Sequence, residues 1–342
     1  MTGGERRSTR RLGPFEVAPV GLGCMNLSHA YGTAPSAPEA ERLLLTALEE
    51  GVTLFDTAAF YGFGANEELV GRVLRPHRDR VVLASKCGMT GVDGRRVIDG
   101  RPETLLRTAD EALVRLGTDV IDLYYLHRLD REVPVEESVG ALAGLVEAGK
   151  VRAIGLSEVS AATLRRAHAV HPVAALQNEY SLWSRNPELG TLEACRELGV
   201  TLVAFSPLAR GFLTSSPPDP GALTTGDIRR SMPRFEPDSY PANLALRDRL
   251  EALAQEARCT LPQLALTWVL SRGEHVVPIP GTRSVKHLRE NLAVLQQDIH
   301  ADVLEAAGRI LDASTVHGAR YAPATLTEID TETFEAEEQD RT

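Results

Sequence analysis

Short apolar runs alternate with amphipathic stretches along most of the chain, and that alternation predicts the architecture before any single residue is weighed. The runs are PVGLGCM (19–25), TLFDTA (53–58), VVLASKCG (81–88), IDLYYLH (121–127), VRAIGLSE (151–158), VAALQNEY (173–180), VTLVAFSPL (200–208) and VVPIPG (276–281). Most open on consecutive aliphatic residues, as strands buried on both faces do. The stretches between them carry helix punctuation. APEAERLLLTALEEG (37–51) and RPETLLRTADEALVRLG (101–117) start near a proline and acids and stop at a glycine, which suits a left-handed C-cap. VPVEESVGALAGLVEAG (133–149), SAATLRRAHAVH (160–171) and ELGTLEACRELG (188–199) continue the series.

Six strand–helix units and a longer seventh predict an α/β fold, a closed (β/α)8 TIM barrel. A doubly wound open sheet is the rival. It would bring a glycine-rich dinucleotide loop after its first strand, whereas VGLGCM (20–25) offers Gly-x-Gly with no third glycine. Leu12-Gly13-Pro14 predicts an N-terminal hairpin at the barrel bottom. Residues 209–241 hold six prolines and read as a long loop after strand seven. Such a loop sets specificity or is a tolerated insertion, with equal weight. The chain is expected to be one barrel domain, its core about residues 11–314 with a final helix near 301–313. The acidic stretch 321–342 is expected to be flexible.

Composition narrows the class. Hydrophobic residues make up 43%, and no apolar run approaches the length of a membrane span. The net charge of −10 includes +3 from residues 1–12 and −6 from residues 321–342. The remainder is still acidic, which argues against a nucleic-acid surface. Cysteines 24, 87, 195 and 259 have no Cys-x-x-Cys spacing, so neither a disulfide framework nor a metal site is expected. Arg10-Arg11 is followed by Glu16 and two prolines rather than an apolar export region. A cytoplasmic protein is expected.

The C-terminal ends of barrel strands carry the candidate chemistry. They supply Asp56, Lys86, His127, Ser157, Glu158, Gln177 and Ser206, with Tyr61 in the loop after strand two. A free phenol is a poor acid at neutrality. A neighbouring lysine lowers its pKa, a carboxylate holds the lysine, and an imidazole orients a carbonyl oxygen. No residue of this set supplies electrons, so a hydride needs a cofactor. Tyr124, Tyr125 and the Cys87 thiol read as packing. Trp183 reads equally as pocket wall or barrel cover, and His29 and Tyr31 as pocket walls.

These stretches carry a resemblance to the aldo-keto reductases from about residue 11 to 296. Its motifs are GLGCM (21–25), FDTAAFYGFGANEELVG (55–71), ASKCG (84–88), DLYYLHR (122–128), VRAIGLSE (151–158), LQNEYSLW (176–183), AFSPLARGFL (204–213) and IPGTRSVKHLREN (279–291). The resemblance implies a catalytic tetrad of Asp56, Tyr61, Lys86 and His127, and NADPH held without a Rossmann loop. It implies Ser157, Glu158 and Gln177 at the nicotinamide carboxamide, and Phe205 stacked on the ring. It places Ser206, Pro207, Leu208 and Gly211 along the pyrophosphate. Gly281, Thr282, Arg283, His287, Glu290 and Asn291 fall at the adenosine end. Two positions depart from the family pattern. Glu158 stands where asparagine is common and cannot donate, and His287 stands where an arginine often meets the 2′-phosphate. NADH therefore stays open beside NADPH. The activity implied is reversible reduction of a small aldehyde or ketone. The rivals are a cofactor-carrying interaction module like the channel-associated members of that family, and a lyase using Lys86 as a Schiff-base nucleophile.

Overall fold

The structure is a computed structural model and describes residues 9–28, 30–92 and 95–338. Among them, eight parallel strands form one continuous sheet in the order of the chain. They are β3 (Leu22–Gly23), β4 (Leu54–Asp56), β5 (Val82–Cys87), β8 (Ile121–Leu126), β9 (Val151–Ser157), β10 (Val173–Glu179), β11 (Thr201–Phe205) and β12 (Val276–Pro278). A parallel bridge between Gly23 and Gly281 joins the first strand to the chain just after the last, closing the barrel. The predicted (β/α)8 fold is therefore the one observed, with strand ends trimmed by a few residues.

Helices α1 (Ala37–Glu49), α2 (Ala65–Leu74), α3 (Pro102–Leu116), α4 (Val135–Glu147), α5 (Ala161–Val170) and α6 (Thr191–Leu198) follow successive strands. The long seventh unit holds two, α7 (Tyr240–Glu256) and α8 (Leu261–Leu270), and α9 (Val285–Leu292) and α10 (Ala301–Ile310) follow β12. Gly117 and Gly199 cap α3 and α6 in the left-handed conformation, which glycine adopts without steric cost. The large core lies between sheet and helices, with Phe55, Leu83, Tyr124, Ile154 and Leu176 facing outward from the strands into it. Inward-facing Leu54, Val82, Ala84, Leu123, Tyr125, Ala153, Ala175 and Val203 fill the barrel itself. The two sets alternate along each strand, as the pleat requires.

The predicted hairpin is β1 (Arg10–Leu12) and β2 (Phe15–Val17), paired antiparallel. Its Leu12 and Val17 join the barrel-interior cluster, so it plugs the bottom. The Thr201 hydroxyl donates to the Arg11 carbonyl at 2.8 Å and the Ala18 N–H donates to Thr53 at 2.8 Å. A second hairpin, β6 (Met89–Val92) and β7 (Arg95–Ile98), follows β5 and is not among the predicted elements.

The acidic C-terminal stretch corrects the expectation of flexibility. Through residue 338 it lies folded on the barrel and includes α11 (Pro323–Leu326) and α12 (Glu335–Glu338). Tyr321, Leu326 and Ile329 are buried, and Arg131 donates to the carbonyls of Thr327 and Ile329. Its acids have a structural use. Asp330 accepts from the hydroxyls of Ser160 and Thr163, and Glu332 accepts from the Ala161 N–H at 2.7 Å. These groups form the N-terminus of α5, where free N–H groups and the helix dipole favour negative charge. No helix among the described residues is long and apolar enough to cross a membrane.

Helices α2 and α3 meet at Gly71, where an added Cβ would lie 2.3 Å from the Leu116 carbonyl oxygen. Backbone cannot yield as a flexible side chain can. Gly71→Ala is expected to destabilise the fold by about 1–3 kcal/mol, read as a lower denaturant midpoint with an unchanged slope. An unshifted midpoint would contradict this packing.

Candidate active site

Strand parity decides which polar groups meet. On β4, residue 54 faces the barrel interior and so does 56. On β5 the inward series is 82, 84, 86, and on β8 it is 123, 125 and then 127. Asp56, Lys86 and His127 are thus the polar caps of inward-facing columns, and Ser157, Gln177 and Phe205 cap β9, β10 and β11 by the same count. Gly155 makes room within this layer, since a Cβ there would lie 2.4 Å from the Tyr125 ring.

Tyr61 arrives on the loop between β4 and α2. Gly62, Phe63 and Gly64 all have positive φ, which turns the chain sharply into α2. Asn66 fastens this loop: its amide donates to the Cys24 carbonyl and the Ser28 hydroxyl, and its oxygen accepts from Thr57 at 2.6 Å. The result places Tyr61 over Lys86. Lys86 is 0% exposed, and its Nζ donates to Asp56 Oδ1 (2.5 Å), the Thr57 carbonyl (2.8 Å) and the Tyr61 hydroxyl (3.3 Å). Gln177 donates to the other Asp56 oxygen at 2.8 Å. The His127 ring meets the Tyr61 ring edge-on at 5.8 Å.

Electrostatics follow from this enclosure. Burial pushes the Tyr61 phenol up, outweighing the pull of Lys86, so its pKa lies above the ordinary value rather than below it as expected from sequence. Burial pulls Lys86 down, but Asp56 and Tyr61 together raise it above the usual value. His127 is held well below its ordinary value by burial, then by Arg128, Lys86 and Arg96. The site thus holds a protonated phenol, a cationic lysine and a neutral imidazole. With three acceptors on a buried ammonium, Lys86 is not presented as a Schiff-base nucleophile. Cys87 is buried and its thiol is raised by that burial, in keeping with a packing role.

Above these groups lies a cavity of about 490 Å³, in the range that holds small ligands. Asp56, Tyr61 and His127 line one end. Ser157, Gln177, Phe205, Ser206, Pro207, Leu208 and Gly211 line its floor, and Gly281, Thr282, Arg283, His287, Glu290 and Asn291 the far end. The structure therefore brings to one cavity every predicted site residue except Lys86, which lies beneath it, and Glu158. At the far end Ser284 caps α9 by accepting from the His287 N–H. The first-turn N–H groups that this cap leaves free, beside Arg283, fit a phosphate. Gly281 fits a close backbone approach, since a Cβ there would lie 2.7 Å from Asn26 Oδ1. A long groove with a cationic end and a polar floor fits a dinucleotide.

Glu158 is the correction among the predicted cofactor contacts. β9 ends at the inward-facing Ser157, and Glu158, turned by a positive φ just beyond it, is not in the cavity wall. Its carboxylate is fully buried, accepting from Arg320 at 2.8 Å and from the Glu179 N–H at 2.9 Å. Arg320 also approaches Glu179, which pairs with Arg210 at 2.5 Å, and Arg210 donates to the Tyr321 hydroxyl at 2.8 Å. Burial alone would raise Glu179, but Arg210, Arg320 and Arg234 hold it below the usual carboxylate range. This buried network seats the C-terminal stretch so that Tyr321, Ala322 and Thr325 form a cavity wall.

Other wall residues come from segments whose sequence carried no catalytic pattern. The second hairpin supplies Arg96, and the 209–241 loop supplies Ile228, Arg229 and Met232, so that loop faces the site. Tyr31 also lines the cavity, with Arg229 over its ring. His29 lies outside the described residues. Trp183 is buried away from the cavity, stacked on Phe212 at 4.5 Å.

Fold and site together define a closed α/β barrel whose strand C-termini enclose a pocket with a phenol, an imidazole and a buried lysine–aspartate pair. The chain belongs to the aldo/keto reductase family, whose model matches residues 19–311. It is 42% identical over 323 residues to aldo-keto reductase yakc [NADP(+)] of Schizosaccharomyces pombe, covering 92% of this chain and 94% of that protein. A probable aldo-keto reductase 1 of Glycine max is 41% identical, covering 90% and 89%. Among solved structures, the glycerol dehydrogenase of Gluconobacter oxydans superimposes with a TM-score of 0.82 at 28% identity, covering 91% of this chain and 97% of that one. An aldo/keto reductase from Klebsiella pneumoniae in complex with NADP and acetate gives 0.69 at 27% identity, covering 92% and 99%.

Removing one member of a buried ion pair strands the other. Arg320→Met is expected to cost about 3–5 kcal/mol and to expose the C-terminal wall to limited proteolysis. Pairing it with Glu158→Met should restore part of the loss. Unchanged stability and protection in the single variant would show that the network does not seat this wall.

Proposed function

We propose that this protein is an NADPH-dependent oxidoreductase that reduces an aldehyde or ketone to the alcohol and catalyses the reverse oxidation. The observation that carries the reading is the Tyr61 hydroxyl, 3.3 Å from a buried lysine that is itself 2.5 Å from Asp56, facing a cavity shared with His127. The name of the yeast relative carries NADP(+) and the Klebsiella structure contains NADP. Both support the choice of cofactor, as does the pairing of Arg283 with His287 at the cavity's far end.

The bound nicotinamide supplies the hydride that no side chain here provides. Tyr61 is the proton donor to the carbonyl oxygen. Its raised pKa keeps the proton in place until negative charge develops on that oxygen. Lys86 then stabilises the phenolate as it forms, so its effect is greater late in proton transfer than before it. Asp56 holds the ammonium in position. His127, neutral at working pH, donates a hydrogen bond that orients the carbonyl oxygen. Ser157 and Gln177 would hold the carboxamide of the cofactor and Phe205 its ring. Ser206, Pro207, Leu208 and Gly211 would hold the pyrophosphate, and Gly281, Thr282, Arg283, His287, Glu290 and Asn291 the adenosine. A small carbonyl compound enters between Tyr61 and the wall formed by the hairpin, the 209–241 loop and the C-terminal stretch.

Tyr61→Phe is expected to lower kcat for aldehyde reduction by about 10²–10⁴-fold while fluorescence titration shows unchanged NADPH affinity. Wild-type turnover in that variant would overturn the assignment. The pH profile offers a separate check. With His127 neutral and Tyr61 raised, kcat for reduction should be flat over roughly pH 6–9 and fall only as the phenol loses its proton at higher pH. A descending limb near neutrality would mean that another group donates the proton.

A further inference from the structure

Five arginines border the cavity, and their partners sort them. Arg96 pairs with Glu328, Arg210 with Glu179 and Arg229 with Asp227. The remaining two guanidinium groups, Arg283 and Arg128, have no carboxylate partner among the described residues. They sit at opposite ends. Arg283, with His287, is at the α9 end, where the proposed function places the cofactor's phosphate. Arg128 directly follows His127 and lines the cavity beside Tyr61.

Arg128 is half-buried, and one of its nitrogens, Nη1, is used by protein: it donates to the His127 carbonyl at 2.7 Å and approaches Ser157 Oγ at 3.5 Å. Its Nε and Nη2 donors have no protein acceptor among the described residues. The charge is close enough to act on Tyr61, His127 and Tyr321: burial raises both phenols and Arg128 opposes that rise, while burial lowers His127 and Arg128 adds to it. The acids on this side of the cavity are spent: Asp56 on Lys86 and Gln177, and Glu328 on Arg96. A fork of free N–H donors on a partly desolvated cation is the geometry that takes a carboxylate in two parallel bonds.

We propose that Arg128 selects carbonyl substrates that carry an anionic group, a carboxylate in the first instance, and binds that group while the carbonyl oxygen faces Tyr61 and His127. The inference rests on the reductase reading and names its substrate class. Arg128 is a specificity-determining residue here, and no proton or hydride passes through it. A hydrogen bond to a charged group contributes about 1.5–3 kcal/mol, which corresponds to roughly 10- to 150-fold in kcat/KM.

The test compares 2- and 4-carboxybenzaldehyde with their methyl esters as substrates of the full chain with NADPH. The wild-type protein is expected to prefer at least one acid over its ester tenfold or more, mainly through KM. Arg128→Gln should collapse that acid-to-ester ratio, and Arg128→Lys, which keeps the charge and loses the fork, should retain part of it. Raising the salt concentration should lower the wild-type ratio, because the site is only half-buried. A wild-type ratio near one for both pairs, or an Arg128→Gln variant that loses acid and ester equally through kcat, would overturn the inference. The second result would mark Arg128 as a residue that merely positions His127. Turnover of the esters by the wild-type protein tests the reductase reading separately. If NADPH binds and none of the four aldehydes is reduced, both readings fall together.

Discussion

An ammonium group with no exposed surface, at the top of an otherwise apolar barrel, is the constraint on which the site depends. Isolated in such a place, Lys86 would lose several kcal/mol of hydration and would give up its proton instead. Asp56, the Thr57 carbonyl and the Tyr61 hydroxyl replace that hydration, and Gln177 satisfies the other oxygen of Asp56. One charge pair therefore ties together β4, β5, β10 and the loop carrying Tyr61. The same enclosure that makes the pair necessary also raises the phenol. A lysine beside a tyrosine does not by itself give a readily ionised tyrosine: here desolvation of the phenolate exceeds the attraction of the ammonium, and the proton stays on the oxygen.

Behind this layer stands a second polar layer. Glu158 and Glu179, each next to an inward-facing residue or at a strand end, meet Arg320 and Arg210 out of contact with water. The backbone departs from strand geometry at the same level. Glu158, Ser206, Ala209 and Arg210 all have positive φ, a conformation that costs non-glycine residues energy and persists where surrounding contacts fix it. Those contacts are the ion network and the bridge from Arg210 to Tyr321. The turn that lets Ser206 reach the cavity floor and the network that seats the C-terminal wall are thus one construction.

Much of this was legible in the chain, for identifiable reasons. Strands buried on both faces read as aliphatic runs, so all eight were found, and their last inward residues meet around one cavity. Asp56, Tyr61 and His127 line one cavity, with Lys86 directly beneath it. Glu158 was misplaced because the chain turns just past Ser157: a positive φ, which a glutamate does not announce in sequence, carries its carboxylate to Arg320 rather than to the cavity. The C-terminal stretch was misread because its acids resemble the composition of a solvated tail. Among the described residues its buried apolar side chains are Tyr321, Leu326 and Ile329, too sparse for a periodic signal, while Asp330 and Glu332 act by capping a helix more than 150 residues earlier. Capping across that sequence distance leaves no local mark. The hairpin after β5 was missed for a related reason: its two four-residue strands sit on the mouth rather than in the core.

The cavity is consequently built in two halves with different rules. The half lined by Ser157, Gln177, Phe205 and the β12–α9 turn belongs to the closed barrel, and altering it would strain ladders shared by neighbouring strands. The half facing Tyr61 from above is made of appended pieces: the β6–β7 hairpin, the 209–241 loop and the C-terminal wall. Arg96 and Glu328 join two of these pieces directly. None belongs to the eight-stranded sheet, and each is joined to the barrel side by side-chain contacts and isolated backbone bonds such as that from the Asp330 N–H to the Glu158 carbonyl. The buried lysine, aspartate and tyrosine are held by the part of the fold that cannot vary cheaply, and the wall facing them by the part that can. Arg128 stands at the seam: its backbone directly follows the β8 column that leads to His127, and its charge acts on Tyr321 of the appended wall.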